Sequence, residues 1–487
     1  MPRMTLRKGV RPIKTLRAAT APDGAVPGRG ARPALAAAML AGLACAGPAA
    51  GHVSEGGIVL LLPTDLYIAA GVASVAATVV LLAAVPAGAV RRLFAALRLW
   101  PLAPGSAIAV TRGLSLALFA ALLWLGLTGP RDPLANPLPL TVWVVWWIAL
   151  VTVQGLVGDI WRWVTPFAAP LALTGRPLMR YPSRFGHAPG LVLLLVFAGF
   201  VLADPAPTDP ARLASIAGGY WGLTALALAL FGRRWLVRGE AITLMMRTYG
   251  RNAALGRRGG RVALGLPGWR IAAGPVRGLG AALFAILLLG IGSFDGLNET
   301  FWWFGLIGIN PLEFPGRSEV IAQTVAGLVV TNLLLVAVFA GFLWAGLRLA
   351  RAEMPLGRAV CLFAPSLLPI ALGYHVAHYL TVLLVDAQYA LAALSDPLAR
   401  GDDLLGLGTF YVTTGFFNTP DTVRAIFLTQ AGAVVIGHIL AILVADALAL
   451  RALPTRRAAF LSQVPLAAFM IAYTLFGLWL LASPKGL

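Results

Sequence analysis

Charge is what this chain lacks most. Only 12% of its 487 residues are charged and 59% are hydrophobic, whereas a soluble domain carries about 25% charged residues. A soluble fold of this length would need far more polar cover, so the composition excludes one. Lysine is nearly absent, occurring only as Lys8, Lys14 and Lys485, and arginine supplies the rest of the +19 formal charge. That charge is scattered through short connections between apolar runs, with no basic stripe interleaved with aromatics, which argues against nucleic acid as a partner. Cysteine is reduced to Cys45 and Cys361, too few for a disulfide framework or a cysteine-based zinc site. Soluble-hydrolase signatures are missing as well: there is no Gly-x-Ser-x-Gly elbow, no P-loop and no His-Glu-x-x-His. Any enzyme here would be built from membrane helices.

What is present is a succession of apolar runs. Residues 1–51 form a basic leader of net charge +7 in which 34–45 has the length of a signal-peptide core. Cleavage after Ala46 or after Gly51 fits, the latter exposing His52 as a new N-terminus able to capture copper. Residues 52–487 read as one transmembrane domain. Ten runs are long enough to span or nearly span, at 66–88, 106–128, 138–157, 189–203, 213–231, 278–294, 321–347, 360–390, 425–450 and 460–482. The fourth is short, and 404–420 is apolar enough for a re-entrant or interfacial segment. The connections alternate between five rich in arginine, the longest being 232–277, and others that carry the acidic residues. By the positive-inside rule this gives ten spans with both mature ends outside the cytoplasm. The expected fold is therefore all-α, a polytopic helical bundle in a lipid bilayer.

Ionisable groups within spans are costly to place and are functional candidates by default. Three of the five histidines, His375, His378 and His438, fall within predicted spans eight and nine. The first two are three residues apart, about 60° around a helix. Counted from the inner ends of antiparallel spans, all three reach a similar depth near the midplane. Three neutral imidazoles at one depth would suit zinc or another divalent transition metal with a position open for water. The bland alternative is that they hydrogen-bond to backbone carbonyls, Tyr374, Tyr379 or Asn332.

Two carboxylates lie toward the outer face. Asp386 follows His375 by eleven residues on nearly the same side of the helix, and Asp295 closes span six beside Asn298 and Glu299. Either would serve as base, ligand or lining of an entry path. Asp295 also reads as a solvated turn cap before Gly296. Asp446 is expected to pair with Arg451 or a neighbour, and His187 to be solvated. Segment 234–256 reads as amphipathic and lying on the inner membrane surface. Asp159 and Arg162, between tryptophans, read as a helix-end anchor, and the aromatic stretch 301–315 as a lid or an interfacial belt.

Several stretches carry a resemblance: Gly158-Asp159 with the following Trp-Arg-Trp, Trp235 to Leu244 (WLVRGEAITL), Ser293 to Gly296 (SFDG) and Leu367 to Leu380 (LLPIALGYHVAHYL). In order and spacing they resemble bacterial polytopic membrane proteins labelled fenitrothion hydrolase. The resemblance covers most of the chain after the leader. It implies a bacterial inner membrane and hydrolysis of a lipophilic organophosphorus triester to a dialkyl acid and a nitrophenol. The positions matching its motifs are Asp159, Glu240, Asp295 and His378. The leading expectation is thus a metal-dependent hydrolase that a small lipophilic substrate enters from the lipid, with His375, His378 and His438 on the metal and Asp295 or Asp386 as base. The alternative is a membrane protein that handles or transports a transition metal such as copper. A transporter needs polar groups continuing to both faces. The sequence shows an outward trail through Asp386 and Asp295, and inward only Asp446 and Gln154.

Overall fold

The computed structural model describes residue 59 and residues 62–485, apart from 104, 173–175, 277, 314 and 315. The leader, Cys45 and His52 lie outside the described residues. Every apolar run becomes a helix, in order: α1 (Thr64–Ala84), α2 (Gly105–Thr128), α3 (Pro137–Leu156), α4 (Ala188–Ala203), α5 (Pro210–Phe231), α6 (Leu279–Asn298), α7 (Arg317–Leu349), α8 (Leu356–Ser395), α9 (Pro420–Ala452) and α10 (Arg456–Ala482). Nine are long and apolar enough to cross a bilayer. The exception, α4, has 16 residues and reaches only about 24 Å against a hydrocarbon core of about 30 Å. The chain is a multi-pass helical membrane protein.

Polar caps and prolines set the starts of these helices. Asn136, Asp209 and Thr419 each accept a backbone N–H of the first turn and are followed by proline, whose fixed φ suits the first helical position. Thr455 caps α10 in the same way. The connections confirm the alternation. At one end, Asp159 pairs with Arg257 at 3.2 Å, Val276 N–H donates to Cys361 O at 3.2 Å, and Arg456 donates to the carbonyls of Leu82, Ala83 and Val85. These contacts join the α3–α4, α5–α6 and α7–α8 connections in one group and the α1–α2 and α9–α10 connections in another. At the other end, Arg131 meets Asp209 at 3.4 Å and Arg317 donates to Val201 O at 3.2 Å.

A small sheet was not foreseen. β1 (Leu97–Pro101), β2 (Leu255–Arg258) and β3 (Arg261–Leu264) form an antiparallel sheet in the order β1-β3-β2. It joins the α1–α2 connection to the α5–α6 connection. Segment 234–256 also differs from expectation. It folds into two short helices, Arg233–Arg238 and Ala241–Tyr249, broken at Gly239-Glu240. Trp235, Leu236, Leu244, Met245, Met246 and Tyr249 are buried, so the apolar side of the segment packs against the bundle. Residues 404–419 form an irregular connection with one short helical piece, Gly415–Phe417, and Asp403 holds Leu407 N–H at 2.7 Å and Gly408 N–H at 2.8 Å.

The centre of the bundle is α8, buried along most of its length, while α1 and α2 expose nearly all of theirs. Two glycines set the crossing of α8 with α9. A Cβ at Gly373 would stand 2.4 Å from Ala433 O, and one at Gly437 2.6 Å from Pro369 O. Only glycine permits backbones this close, a recurring device where helices associate within lipid. On the other side of α8 lies α3, which winds as a π-helix over Thr141–Leu150. Such segments re-aim side chains, and this one places Trp147 against α8.

Candidate functional site

The SFDG segment forms the last turns of α6, and each of its residues meets a neighbouring helix. Ser293 Oγ donates to Leu289 O at 2.9 Å and lies 2.5 Å from Tyr473 Oη of α10. Phe294 packs edge-on against Trp303, with ring centroids 5.1 Å apart. Asp295 is 8% exposed and receives two groups of α8 on one oxygen: Tyr379 Oη donates to Oδ2 at 2.5 Å, and His378 Nε2 lies 3.2 Å from it. At Gly296 any Cβ would fall 1.7 Å from Tyr374 Oη. Glycine is required there so that α8 can bring its polar face against α6. Asp295 is therefore an internal helical residue and not a solvated turn cap.

On α8 the polar and aromatic groups stack with helical spacing. Tyr374 and His378, four residues apart, lie parallel with centroids 5.8 Å apart, and His375 and Tyr379 stand 4.9 Å apart. His378 also meets the Tyr379 ring edge-on at 4.7 Å. These contacts hold both imidazoles against the Tyr379 ring. A buried carboxylate tolerates this setting because donors satisfy it.

The cluster opens into a cavity of about 220 Å³. Glu299, Arg317 and Lys485 line it with Asp295, His378 and Tyr379, and Trp303 and Phe304 give it an apolar wall. Lys485 Nζ sits 3.0 Å from Glu299 Oε2, and the chain end is held there by the Thr300–Lys485 bridge and by Phe301 N–H donating to Pro484 O at 3.1 Å. Ligand atoms of Asp295, Glu299 and His378 all lie within 4.8 Å of one another. Two carboxylates and an imidazole make a donor set that suits a divalent transition metal.

The expected three-histidine site does not form. Among the described residues, the group with ligand atoms close enough to share an ion is Asp295, Glu299 and His378. His375 turns to the other side of Tyr379, where its ring meets Trp147 edge-on at 5.4 Å and lies 6.3 Å from Tyr249. His438 is spent on its own helix, with Nδ1 2.9 Å from Val434 O, and its ring is 6.4 Å from that of Tyr473. Matched depth did not bring the rings together because their rotations about the helix axes differ. Nε2 of both His375 and His438 is buried without a hydrogen-bond partner among the described residues. Asp386 is half-buried on α8 and stands outside the group, its place as second carboxylate taken by Glu299. Asp446 forms no ion pair with Arg451 among the described residues and faces Gln463 across a small apolar pocket. Asn332 donates to Leu328 O at 2.8 Å rather than to a histidine.

The remaining motif positions lie toward the arginine-rich end. Glu240 is fully buried and caps Ala241–Tyr249, accepting from Ile242 N–H and Thr243 N–H, each at 2.7 Å, and from the Tyr220 hydroxyl. Burial pushes its carboxyl above the ordinary range. Asp159 accepts from Gln154 at 3.3 Å and from Arg257 at 3.2 Å, so both positions read as structural. Lys485, Arg317 and the hydroxyl of Tyr379 were missed as site groups. Lys485 had one usable signal, as the only lysine outside the leader. No family model matches the chain, nor does any curated protein or solved structure.

Proposed function

We propose that this protein is a bacterial inner-membrane hydrolase of lipophilic organophosphorus triesters, with its arginine-rich connections in the cytoplasm and its centre at the opposite, extracytoplasmic end. The observation that carries this reading is the buried Asp295–His378–Tyr379 cluster opening into a cavity that also holds Glu299, Arg317 and Lys485. Resemblance of the SFDG and GYHVAHY segments to the fenitrothion hydrolase family points to the same residues. Asp295, Glu299 and His378 would hold a divalent metal, zinc being one candidate, which when bound supplies Lewis-acid polarisation of the phosphoryl or thiophosphoryl group.

The chain's own groups account for the rest. A water in the cavity, hydrogen-bonded to the carboxylate oxygen of Asp295 that does not hold Tyr379, gives that oxygen its proton as the water oxygen forms the new P–O bond. Arg317 and Lys485 place positive charge where the phosphoryl group gains negative charge. The bond to the aryl oxygen breaks and the nitrophenolate leaves as an anion, a weak base that needs no acid catalyst. Trp303 and Phe304 offer the aryl ring an apolar wall, and a neutral triester reaches it through the bilayer, in which it dissolves.

The test is nitrophenol release from fenitrothion by the purified protein in nanodiscs, with metal content measured on the same samples. The reading expects turnover that Asp295→Asn and His378→Ala abolish, with metal lost alongside. Full turnover in folded Asp295→Asn protein would sink it.

A second reading, transition-metal handling, has its own support. Beyond Tyr379 the polar and aromatic line continues through His375 and Tyr249 toward the arginine-rich end, further inward than the sequence indicated. Metal bound without turnover, and moved across vesicles in a His375-dependent way, would favour it.

A further inference from the structure

A large, arginine-lined cavity lies at the opposite end from Asp295. It encloses about 1480 Å³ between α2, the α3–α4 connection and the α5–α6 connection. Its lining holds eight arginines against a single acidic residue, Asp159. Arg112, Arg162, Arg233, Arg238, Arg247 and Arg257 surround it, with Arg251 and Arg270 behind them. Asp159 pairs directly with Arg257, at 3.2 Å, and its charge also acts on Arg112, Arg162, Arg247 and Arg270. Among the described residues no other arginine of this set has an ion-pair partner.

Membrane topology accounts for arginines in these connections but not for their convergence. Guanidinium groups that serve orientation alone snorkel separately to the headgroups. Here the charges crowd: burial first, and then the charges of Arg233 and Arg257 against the opposing pull of Asp159, hold Arg162 and Arg247 below the ordinary arginine range. Arg251 is pushed down to about 10 by burial and by the charge of Arg270, and its Nε is buried without a partner among the described residues. Arg112 is part of span α2 itself and is held in place by donating to Arg162 O at 2.9 Å. The sequence reading passed over it inside an apolar run. Like charges kept together at a cost in repulsion imply an anion that offsets it.

We propose that this cavity is a binding site for a phosphate-bearing ligand, either the headgroup of an anionic phospholipid or a soluble polyphosphate compound. Planar guanidinium forks match phosphate oxygens two at a time. The volume exceeds the roughly 300–1,000 Å³ of ordinary small-molecule sites, which leaves room for a headgroup with part of its chains or for a nucleotide-sized anion. This site is independent of the hydrolase reading.

The test has two arms on protein in phosphatidylcholine nanodiscs. One titrates inorganic pyrophosphate by calorimetry; the other adds phosphatidylglycerol and measures its retention over phosphatidylcholine by native mass spectrometry. Arg112→Gln/Arg247→Gln is expected to weaken whichever ligand binds by about tenfold or more, since each removes charge-assisted hydrogen bonds. Exposed Arg358→Gln, outside the cavity, should leave binding unchanged. Pyrophosphate binding alone assigns the soluble source, and phosphatidylglycerol retention alone assigns the lipid. Arg112→Lys/Arg247→Lys keeps the charge and guards against misfolding of the glutamine variant; it should weaken binding less. Absence of binding in both arms, or equal binding by the wild type and both double variants, would overturn the proposal.

Discussion

Tyr379 and Asp295 are joined by a hydrogen bond of 2.5 Å between two membrane helices, and the accepting oxygen also faces His378 at 3.2 Å. One carboxylate oxygen thus orients a phenol and an imidazole at the same time. Tyr379→Phe keeps the ring that packs both histidines and removes only the donor. Its expected effect is a fall in nitrophenol release of about tenfold with a changed pH–rate profile, whereas Asp295→Asn should cost about a hundredfold or more, the lower range for general-base catalysis. Steady-state rates across pH on both variants check this. Unchanged profiles would show that the hydroxyl serves packing alone.

The close approach at Gly296 yields a prediction about stability. Gly296→Ala drives a methyl into the Tyr374 hydroxyl, at 1.7 Å, and should lower stability by about 1–3 kcal/mol, as overpacking usually does. Tyr374→Phe removes the clashing oxygen but leaves the ring carbon 3.0 Å from the new methyl, so it should rescue the alanine variant only in part. Thermal unfolding of the two single variants and the double variant in detergent measures the coupling. Additive effects would contradict the geometry.

Glu240 is the next most exacting position. Glu240→Ala removes the cap of Ala241–Tyr249 and strands the hydroxyl of Tyr220. With about 1 kcal/mol for the cap and about 2 for the stranded donor, the variant should be roughly 3 kcal/mol less stable. Glu240→Gln, which keeps an acceptor, should lose less. Chemical denaturation separates them, and equal losses would point to packing instead.

His187 offers a test by pH. It is half-buried at the start of α4, with its Cβ side against Gly280 rather than freely solvated. Burial and the charges of Arg238 and Arg247 hold its imidazole below the ordinary range. Because the unfolded chain takes up this proton more readily, stability should be full above about pH 6.5 and decline as pH falls below it. His187→Gln should flatten that part of the curve. An unchanged slope between pH 6.5 and 5 would assign the acid sensitivity elsewhere.

Much of the fold was legible because lipid leaves few options: a long apolar run must become a helix, and arginine marks the end it leaves on. All ten runs and their alternation follow from those two facts. The candidate site was legible only in part. Asp295 and His378 announced themselves as charge-bearing groups in apolar surroundings, and the SFDG and GYHVAHY segments drew attention to both. What failed was the step from depth to convergence. Residue counting put His375, His378 and His438 at one level, but rotation about a helix axis is set by contacts such as Gly296 with Tyr374 and Gly373 with Ala433, which no periodicity reveals. Glu299 and Lys485 were hidden for another reason, since they meet only when the chain end folds back on the end of α6. The sheet was hidden because its strands are four or five residues long and β1 lies about 160 residues from its partner β3.

That separation has a consequence for biosynthesis. β1 follows α1 after one short helix, Ala87–Leu93, yet its partner β3 comes after α5 and most of the long arginine-rich connection 232–277. At 5–20 residues per second, synthesis of the intervening chain takes on the order of ten to thirty seconds. Throughout that interval β1 waits without its partner strand. Closure of the sheet is therefore a late, long-range event, and it records that the first half of the protein has been inserted with the correct threading.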